Sequence, residues 1–110
     1  MFVRPIPLKL LPHKCVLKKP KTEGFYGGYE QPVALRNVRV EENRRARCNN
    51  GNEGYGECLV LYYDTANSLP KNVPIDTGDI VEYGGRICRV ETVRYVMAAD
   101  RVHHIRAVLV

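Results

Sequence analysis

Short apolar runs separated by turn-forming residues are the feature that most constrains the fold of this chain. Val and Tyr dominate these runs, and Gly, Pro, Asn and Asp fall between them. No window of about a dozen residues repeats apolar positions at helical spacing without an interrupting Pro or Gly. The sequence therefore predicts an all-β fold, a small antiparallel β-barrel or sandwich of about six strands.

The second predicted strand changes its inward-facing parity at Asn37. Its apolar residues stand at odd positions before Asn37 and at even positions after it. A bulge near Asn37, or alternatively a one-residue slip, would bring both sets to the core. Gly84-Gly85 supplies the positive φ angles of a two-residue hairpin turn between the fourth and fifth strands. The predicted strands cover residues 13–19, 33–41, 58–63, 80–83, 86–94 and 101–110.

Length and charge set the broad class. A chain of 110 residues, 45% of them hydrophobic, can bury one small core, so we expect a single domain over residues 1–110. The net charge of +5 permits contact with nucleic acid without requiring it. The proline-broken start lacks the apolar stretch of a secretory signal, and no uncharged run approaches the roughly 20 residues that span a bilayer. We therefore expect no export, no membrane partner and reduced cysteines.

Residues 1–12 form a predicted extended arm. Pro5, Pro7 and Pro12 each lack an N–H and restrict the residue before them, so regular structure is excluded and at most one turn remains. Such an arm lies on the surface or on a neighbouring molecule. The candidate inter-subunit contacts of the arm are Phe2, Val3, Arg4, Pro5, Ile6 and Pro7.

Residues 43–56 form a polar stretch with no apolar face, predicted to be the protruding tip of a hairpin or a loop. Asn50-Gly51 is a hairpin-turn signal. One interpretation is a solvated loop whose positive charges offset nearby Glu residues. The other is a tip that touches phosphates without reading bases, which needs only positive charge and amide donors. The residues concerned are Arg44, Arg45, Arg47, Asn49, Asn50 and Asn52.

No catalytic or metal-binding constellation is expected. Consecutive strand residues point to opposite faces, so His103 and His104 should not share a metal ion, and His13 is remote in sequence. Ser68 is the only serine, and it lies in a turn without the motif of a nucleophile elbow. We expect no enzyme activity, no cofactor and no small-molecule substrate.

A monomeric OB-like β-barrel that binds nucleic acid non-specifically is a second interpretation. Binding of this kind combines a basic surface with exposed aromatic rings. Tyr62 and Tyr63 alternate in direction, so one ring is expected in the core and the other outside. The sequence therefore offers at most one stacking ring from this pair.

Several motifs taken together resemble a known family. In chain order they are Gly24-Phe25-Tyr26-Gly27 with Pro32 and Asn37-Val38-Arg39-Val40, Leu61-Tyr62-Tyr63-Asp64 with Asn67-Ser68-Leu69-Pro70, Gly78-Asp79-Ile80-Val81 with Gly84-Gly85 and Val90, and His103-His104. Their order and spacing over nearly the whole chain resemble the small minor capsid proteins of tailed phages and prophages of Gram-positive bacteria.

The resemblance implies a structural protein of the phage neck, a head-completion or stopper-like head-to-tail connector. Such a subunit forms a homo-oligomeric ring with a portal or adaptor protein above and a tail-completion or tail protein below. Phage double-stranded DNA passes through its channel. The implied location is the virion, after assembly in the bacterial cytoplasm. By analogy with connectors, the 43–56 tip would project towards the channel and help to retain the genome.

Overall fold

Six antiparallel strands close a small barrel in the computed structural model, which describes residues 4–20, 28–43 and 58–110. The order around the barrel is β1-β2-β3-β6-β5-β4, and pairing of β4 with β1 completes it. The all-β prediction is confirmed, with the barrel rather than the sandwich. The elements are a 3₁₀ turn (Leu8–Leu10), β1 (His13–Lys18), β2 (Val33–Asn43), β3 (Cys58–Asp64), β4 (Ile80–Tyr83), β5 (Arg86–Ala98) and β6 (Arg101–Leu109).

Each predicted strand overlaps a strand of the structure, but several ends differ. Strands β2 and β5 continue past the predicted ends, to Asn43 and Ala98. Strand β3 includes Asp64, whereas β1 ends at Lys18 and β6 at Leu109. These strands are longer than predicted because their backbone pairing with β3 and β6 continues beyond the last residues of the alternating apolar pattern.

The bulge expected near Asn37 is confirmed. His13 of β1 lies opposite Val38, and the next residue, Lys14, lies opposite Arg36, which leaves Asn37 as the extra residue of β2. Asn37 has a φ of 55°, in the left-handed region that asparagine tolerates better than most residues. The bulge turns Leu35 and Val38 to the same side, and both are fully buried.

The turn between β4 and β5 also matches its prediction. Gly84 and Gly85 have φ angles of 57° and 81°, as a two-residue turn with two positive φ angles requires. The turn pairs Tyr83 with Arg86 and starts a short strand contact that ends at Ile80 and Arg89. The two glycines thus set the turn, and Tyr83 beside it packs against the core.

The barrel interior contains the inward-facing residues of the strands together with Ile75 from the β3–β4 connection. Burying each large apolar side chain contributes about 1.5 to 3 kcal/mol to folding. Tyr63 is the largest of them and is 1% exposed. The large apolar side chains of this core that are fully buried are Leu17, Leu35, Val38, Leu61, Tyr63, Ile75, Val81, Val90 and Leu109.

Two strands run past their neighbours at opposite ends of the barrel. At the lower end, where β2 stops and β3 begins, β2 continues from Arg39 to Asn43 beyond its last β1 partner at Val38. At the upper end, β5 continues from Thr92 to Ala98 beyond its β4 partners and pairs there with β6. We call Arg39–Asn43 the lower extension and Thr92–Ala98 the upper extension.

Candidate functional site: the N-terminal arm and the barrel ends

The N-terminal arm lies on the outer side of its own barrel. The backbone N–H of Ile6 donates to Oδ1 of Asp64 at 3.1 Å, and Nδ2 of Asn67 donates to the carbonyl oxygen of Ile6 at 2.7 Å. Leu11, at the end of the arm, is only 2% exposed. The arm contains one 3₁₀ turn, which the prediction of an extended or one-turn segment allowed. Its inner side is held by hydrogen bonds to the same chain.

Asp64 is the buried anchor for this arrangement. Its side chain is fully buried and accepts hydrogen bonds from three backbone N–H groups, those of Ile6, Ala66 and Asn67. Three such donors compensate for the loss of water around a carboxylate. The carboxylate therefore joins the arm to the turn that follows β3.

Ser68 is committed to the same structural network. Its hydroxyl accepts the backbone N–H of Asp64 at 2.9 Å and donates to the carbonyl oxygen of Asn37. Leu69 exchanges two backbone hydrogen bonds with Arg36, beside the bulge. The Asn67-Ser68-Leu69-Pro70 motif thus fastens the β3–β4 connection to the bulge of β2, and the serine hydroxyl has no free role as a nucleophile.

The Gly78-Asp79 motif has a similar structural role. Asp79 is 3% exposed and accepts a hydrogen bond from Nζ of Lys19 at 2.6 Å, and Asp76 accepts one from the same amine at 3.0 Å. Burial opposes the charge on Lys19, but the hydrogen bonds to Asp79 and Asp76 outweigh it and raise the pKa of Lys19. These contacts hold the turn before β4 against the end of β1.

The two adjacent histidines meet, contrary to the expectation that they face opposite sides. Val96 lies opposite His104 and Met97 lies opposite Val102, so His103 is the extra residue of a second bulge. Their Nδ1 atoms are 2.8 Å apart, and Nε2 of His103 lies 2.6 Å from the carbonyl oxygen of Arg4. Sequence alternation alone did not reveal this contact, because nothing in the sequence marks the bulge.

The hydrogen-bonding roles of this pair follow from the carbonyl group. A carbonyl oxygen only accepts, so Nε2 of His103 carries the hydrogen, and Nδ1 of a neutral His103 accepts from Nδ1–H of His104. Burial lowers the pKa of His104, and electrostatic interactions with His103 and Arg106 lower it further, against the raising effect of Asp64. In the part of the chain that the structure describes, no group of three or more His, Cys, Asp or Glu residues could hold a metal ion.

The described thiols are poor nucleophiles. Burial raises the pKa of Cys15 to about 12. Burial also raises the pKa of Cys88, although the charge of Arg86 opposes the change. Both thiols are free and buried, and thiolate is the reactive form, so neither side chain is prepared for covalent chemistry.

The predicted site residues are only partly within the described chain. The tip residues Arg44, Arg45, Arg47, Asn49, Asn50 and Asn52, and the arm residues Phe2 and Val3, lie outside the described ranges. Asn43 belongs to β2 and pairs with Cys58, so the stretch 43–56 that the sequence assigns to the tip begins one residue too early. Of the arm residues described, Arg4 and Pro7 are exposed, and Pro5 and Ile6 are partly buried.

The outer side of the arm leaves two leucines open to solvent. Leu8 is 57% exposed and Leu10 is 44% exposed. Leu10, Leu11 and Ile6 line a shallow groove with Tyr62, whose ring points outward while that of Tyr63 is buried. The predicted alternation of the two tyrosines is confirmed. The structure thus leaves an exposed leucine pair beside a groove that the arm itself helps to form.

Comparison with known proteins finds no relative of this chain. No helix among the described residues is long and apolar enough to cross a membrane. The chain matches no family model, no curated protein and no solved structure.

Proposed function

We propose that this chain is a structural protein of the phage neck, a head-completion or head-to-tail connector subunit. It forms a homo-oligomeric ring between a portal or adaptor protein and a tail-completion or tail protein, and the ring conducts or retains the double-stranded DNA in the virion. The resemblance of its motifs to small minor capsid proteins suggests this role. The two-ended construction of the barrel supports it.

The observation that carries the proposal is the pair of extensions at opposite ends of the barrel. In each, one edge of the strand has no strand partner among residues 4–20, 28–43 and 58–110. Exposed strand edges offer unpaired backbone groups to other chains, and monomeric proteins usually cover or blunt them. A subunit that contacts one component above and another below needs a free surface at each end. The upper extension supplies one, whereas the lower extension is partly covered by its own chain, because the backbone N–H of Val40 donates to Nδ1 of His13 at 3.0 Å.

The upper extension also exposes apolar side chains. Met97 is 55% exposed and Tyr95 is 42% exposed. Beneath them is an open, mainly apolar groove of about 220 Å³, lined in part by Val73, Pro74 and Val102. Adjacent exposed apolar residues beside a groove are typical of a protein interaction surface. We assign this end of the barrel to contact with another subunit of the neck.

The chemistry of the described residues supports a structural role rather than catalysis. The hydroxyl of Ser68 bonds to backbone groups, and burial disfavours the thiolate of Cys15. The carboxylate of Asp64 is saturated by backbone donors. Each of these reactive side chains is used to hold the fold together.

The arm contributes to assembly through its outer side. Ile6 and Leu11 face the subunit's own barrel, whereas Leu8 and Leu10 face solvent. A neighbouring subunit that packs on this leucine pair would bury apolar area without displacing the intramolecular anchor. The arm would then be presented to the neighbour in a preorganised form, which lowers the entropy cost of association.

A substitution pair at Met97 tests the assembly role. Met97→Asp places a charge on the upper extension, and Met97→Leu keeps the position apolar. We expect both variants to fold like the wild type, and only Met97→Asp to lose ring formation alone or on a portal ring, measured by analytical ultracentrifugation. Equal assembly of the two variants would show that the upper extension is not part of the interface. A wild-type chain that stays monomeric both alone and with the portal ring would contradict the proposed function.

The second candidate function is nucleic-acid binding by a monomeric barrel. The described barrel has six strands, whereas the OB fold has five, so the likeness to that fold is limited to a closed β architecture. The outward ring of Tyr62 between Arg39 and Arg106 favours this candidate. Strong, salt-sensitive binding of oligonucleotides by isolated monomers, without any ring, would support it over the neck protein.

A further inference from the structure

A row of residues crosses the outer face of the barrel at one level. Arg39 of β2 lies opposite Tyr62 of β3, Tyr62 lies opposite Arg106 of β6, and Arg106 lies opposite Arg94 of β5. Neighbouring strands are about 4.8 Å apart, so the row extends about 14 Å across four strands. It places three guanidinium groups and one phenol ring on the same side of the sheet.

The cations of this row differ in their surroundings. Nε of Arg39 bonds to Oε1 of Glu41, and its Nη1 donates to the carbonyl oxygen of Leu10 at 3.4 Å, so Arg39 is already neutralised. Arg94 and Arg106 have no ion-pair partner within the described residues. Like charges directly opposite each other across two strands destabilise a sheet. The monomer therefore maintains an unfavourable cation pair at this point.

An anion placed between the two guanidinium groups would remove this repulsion. Directly opposite side chains on antiparallel strands have Cβ atoms about 4.5 to 5.5 Å apart, close enough for both groups to reach one tetrahedral anion. Guanidinium groups bind phosphate oxygens through paired, charge-assisted hydrogen bonds. Arg94 is exposed and Arg106 is partly exposed, so such an anion can approach from solvent.

We propose that Arg94 and Arg106 form a contact site for the phosphate backbone of double-stranded DNA. The inference rests on the proposed function, because DNA that passes through a neck ring runs past the channel-facing surface of every subunit. Arg101, exposed at the start of β6, adds a third cation on the same hairpin. The site reads no sequence, since phosphates carry none, and this suits a protein through which a whole genome moves.

Duplex DNA requires the arginine pair of this row and not the ring of Tyr62, because the bases of a duplex are stacked on each other. Single-strand binders stack bases on exposed aromatic rings. Here the arm residues Ile6, Leu10 and Leu11 border the groove that contains Tyr62, and the ring of His104 lies 6.3 Å from that of Tyr62. The ring of Tyr62 is partly exposed at the edge of this groove, and the arginine pair is the part of the row that a duplex can contact through its phosphates.

A charge-matched pair of double variants tests the site. Arg94→Gln with Arg106→Gln removes the proposed contacts, and Lys14→Gln with Lys71→Gln removes the same charge from exposed positions elsewhere. The full chain is titrated at low salt with a duplex of about 12 base pairs, and the arginine Nε–Hε signals are followed by NMR. We expect DNA to perturb the NMR signals of Arg94 and Arg106 in the wild type. We also expect the slope of log affinity against log salt concentration to decrease in magnitude by about 2 in the arginine variant and to stay unchanged in the lysine variant.

Other results would overturn the site. Equal weakening in the arginine and lysine variants would mean that only total charge matters. Ring assembly that fails in the arginine variant, with DNA contact unchanged, would mean that the pair meets an acidic protein surface instead. If the wild type forms a ring on the portal but DNA leaves the signals of Arg94 and Arg106 unchanged, the site is refuted and the proposed function is not. Arginine-dependent DNA binding by a chain that never forms rings would keep the phosphate contacts and refute the neck protein.

Discussion

Nε2 of His103 lies 2.6 Å from the carbonyl oxygen of Arg4 and connects the beginning of the described arm to strand β6. Together with the bond from Ile6 to Asp64, this contact holds the arm across the ends of β3 and β6. The arm is therefore part of the subunit's own surface before any partner arrives. The assembly that we propose would act on a surface that is already in place.

Folding should weaken in mild acid because of the histidine pair. Burial and electrostatic interactions with His103 and Arg106 lower the pKa of His104, so the unfolded chain takes up a proton at higher pH than the folded one. Stability is unaffected above the ordinary pKa of 6.5 and decreases as pH falls through it, levelling off below the lowered pKa. Urea unfolding of the wild type and His104→Gln between about pH 7.5 and pH 5 measures this, and a pH response that is identical in both would contradict it.

Replacing the buried carboxylate should cost considerable stability. Asp64→Asn keeps the shape but replaces one acceptor oxygen by an amide that faces backbone N–H groups. We expect a loss of about 1 to 3 kcal/mol in the free energy of unfolding. Asp76→Asn is the control, because the Asp76 side chain is 67% exposed and its ion pair contributes little. A similar loss in both variants would refute the role of Asp64 as anchor.

The bulge in β2 should prefer glycine over alanine. Asn37→Gly and Asn37→Ala both lose the bond from Nδ2 to the carbonyl oxygen of Asn67, but only glycine adopts the φ of 55° without strain. We expect the alanine variant to be less stable than the glycine variant by about 1 kcal/mol in chemical denaturation. If the alanine variant is as stable as the glycine variant or more stable, the left-handed backbone conformation at residue 37 does not limit the stability of the fold.

The arginines of the predicted tip should matter for particles and not for the fold. Replacing Arg44, Arg45 and Arg47 together with Ala is expected to leave the thermal stability of the monomer nearly unchanged and to impair assembled particles. Thermal melts and particle yields measure the two effects. A monomer destabilised by several kcal/mol would identify these arginines as structural partners.

The fold was largely predictable because its signals are local. Alternation, turn glycines and the parity change at Asn37 each depend on a few neighbouring residues, and all of them correspond to features of the barrel. The extra length of β2 and β5 was not predictable, since it depends on backbone pairing with β3 and β6. The closure of β4 against β1, including the 2.6 Å contact of Lys18 with Glu82, joins residues far apart in the chain.

The surfaces were harder to predict because they depend on register between distant strands. Arg94 and Arg106 look unrelated in the sequence, and only the pairing of β5 with β6 places them opposite each other. The contact of His103 with His104 requires a bulge, and no Gly, Pro or Asn in this part of the sequence indicates one. The hydrogen bonds that Asp64 and Asn67 make with Ile6 join residues far apart in the chain, so the sequence could not predict them.

Electron microscopy of the full chain mixed with its portal protein tests the central claim most directly. We expect closed rings of this chain bound to the portal and coaxial with its channel, with the upper and lower extensions facing different neighbours. Particles that contain the portal alone, together with a chain that stays monomeric at every concentration, would contradict it.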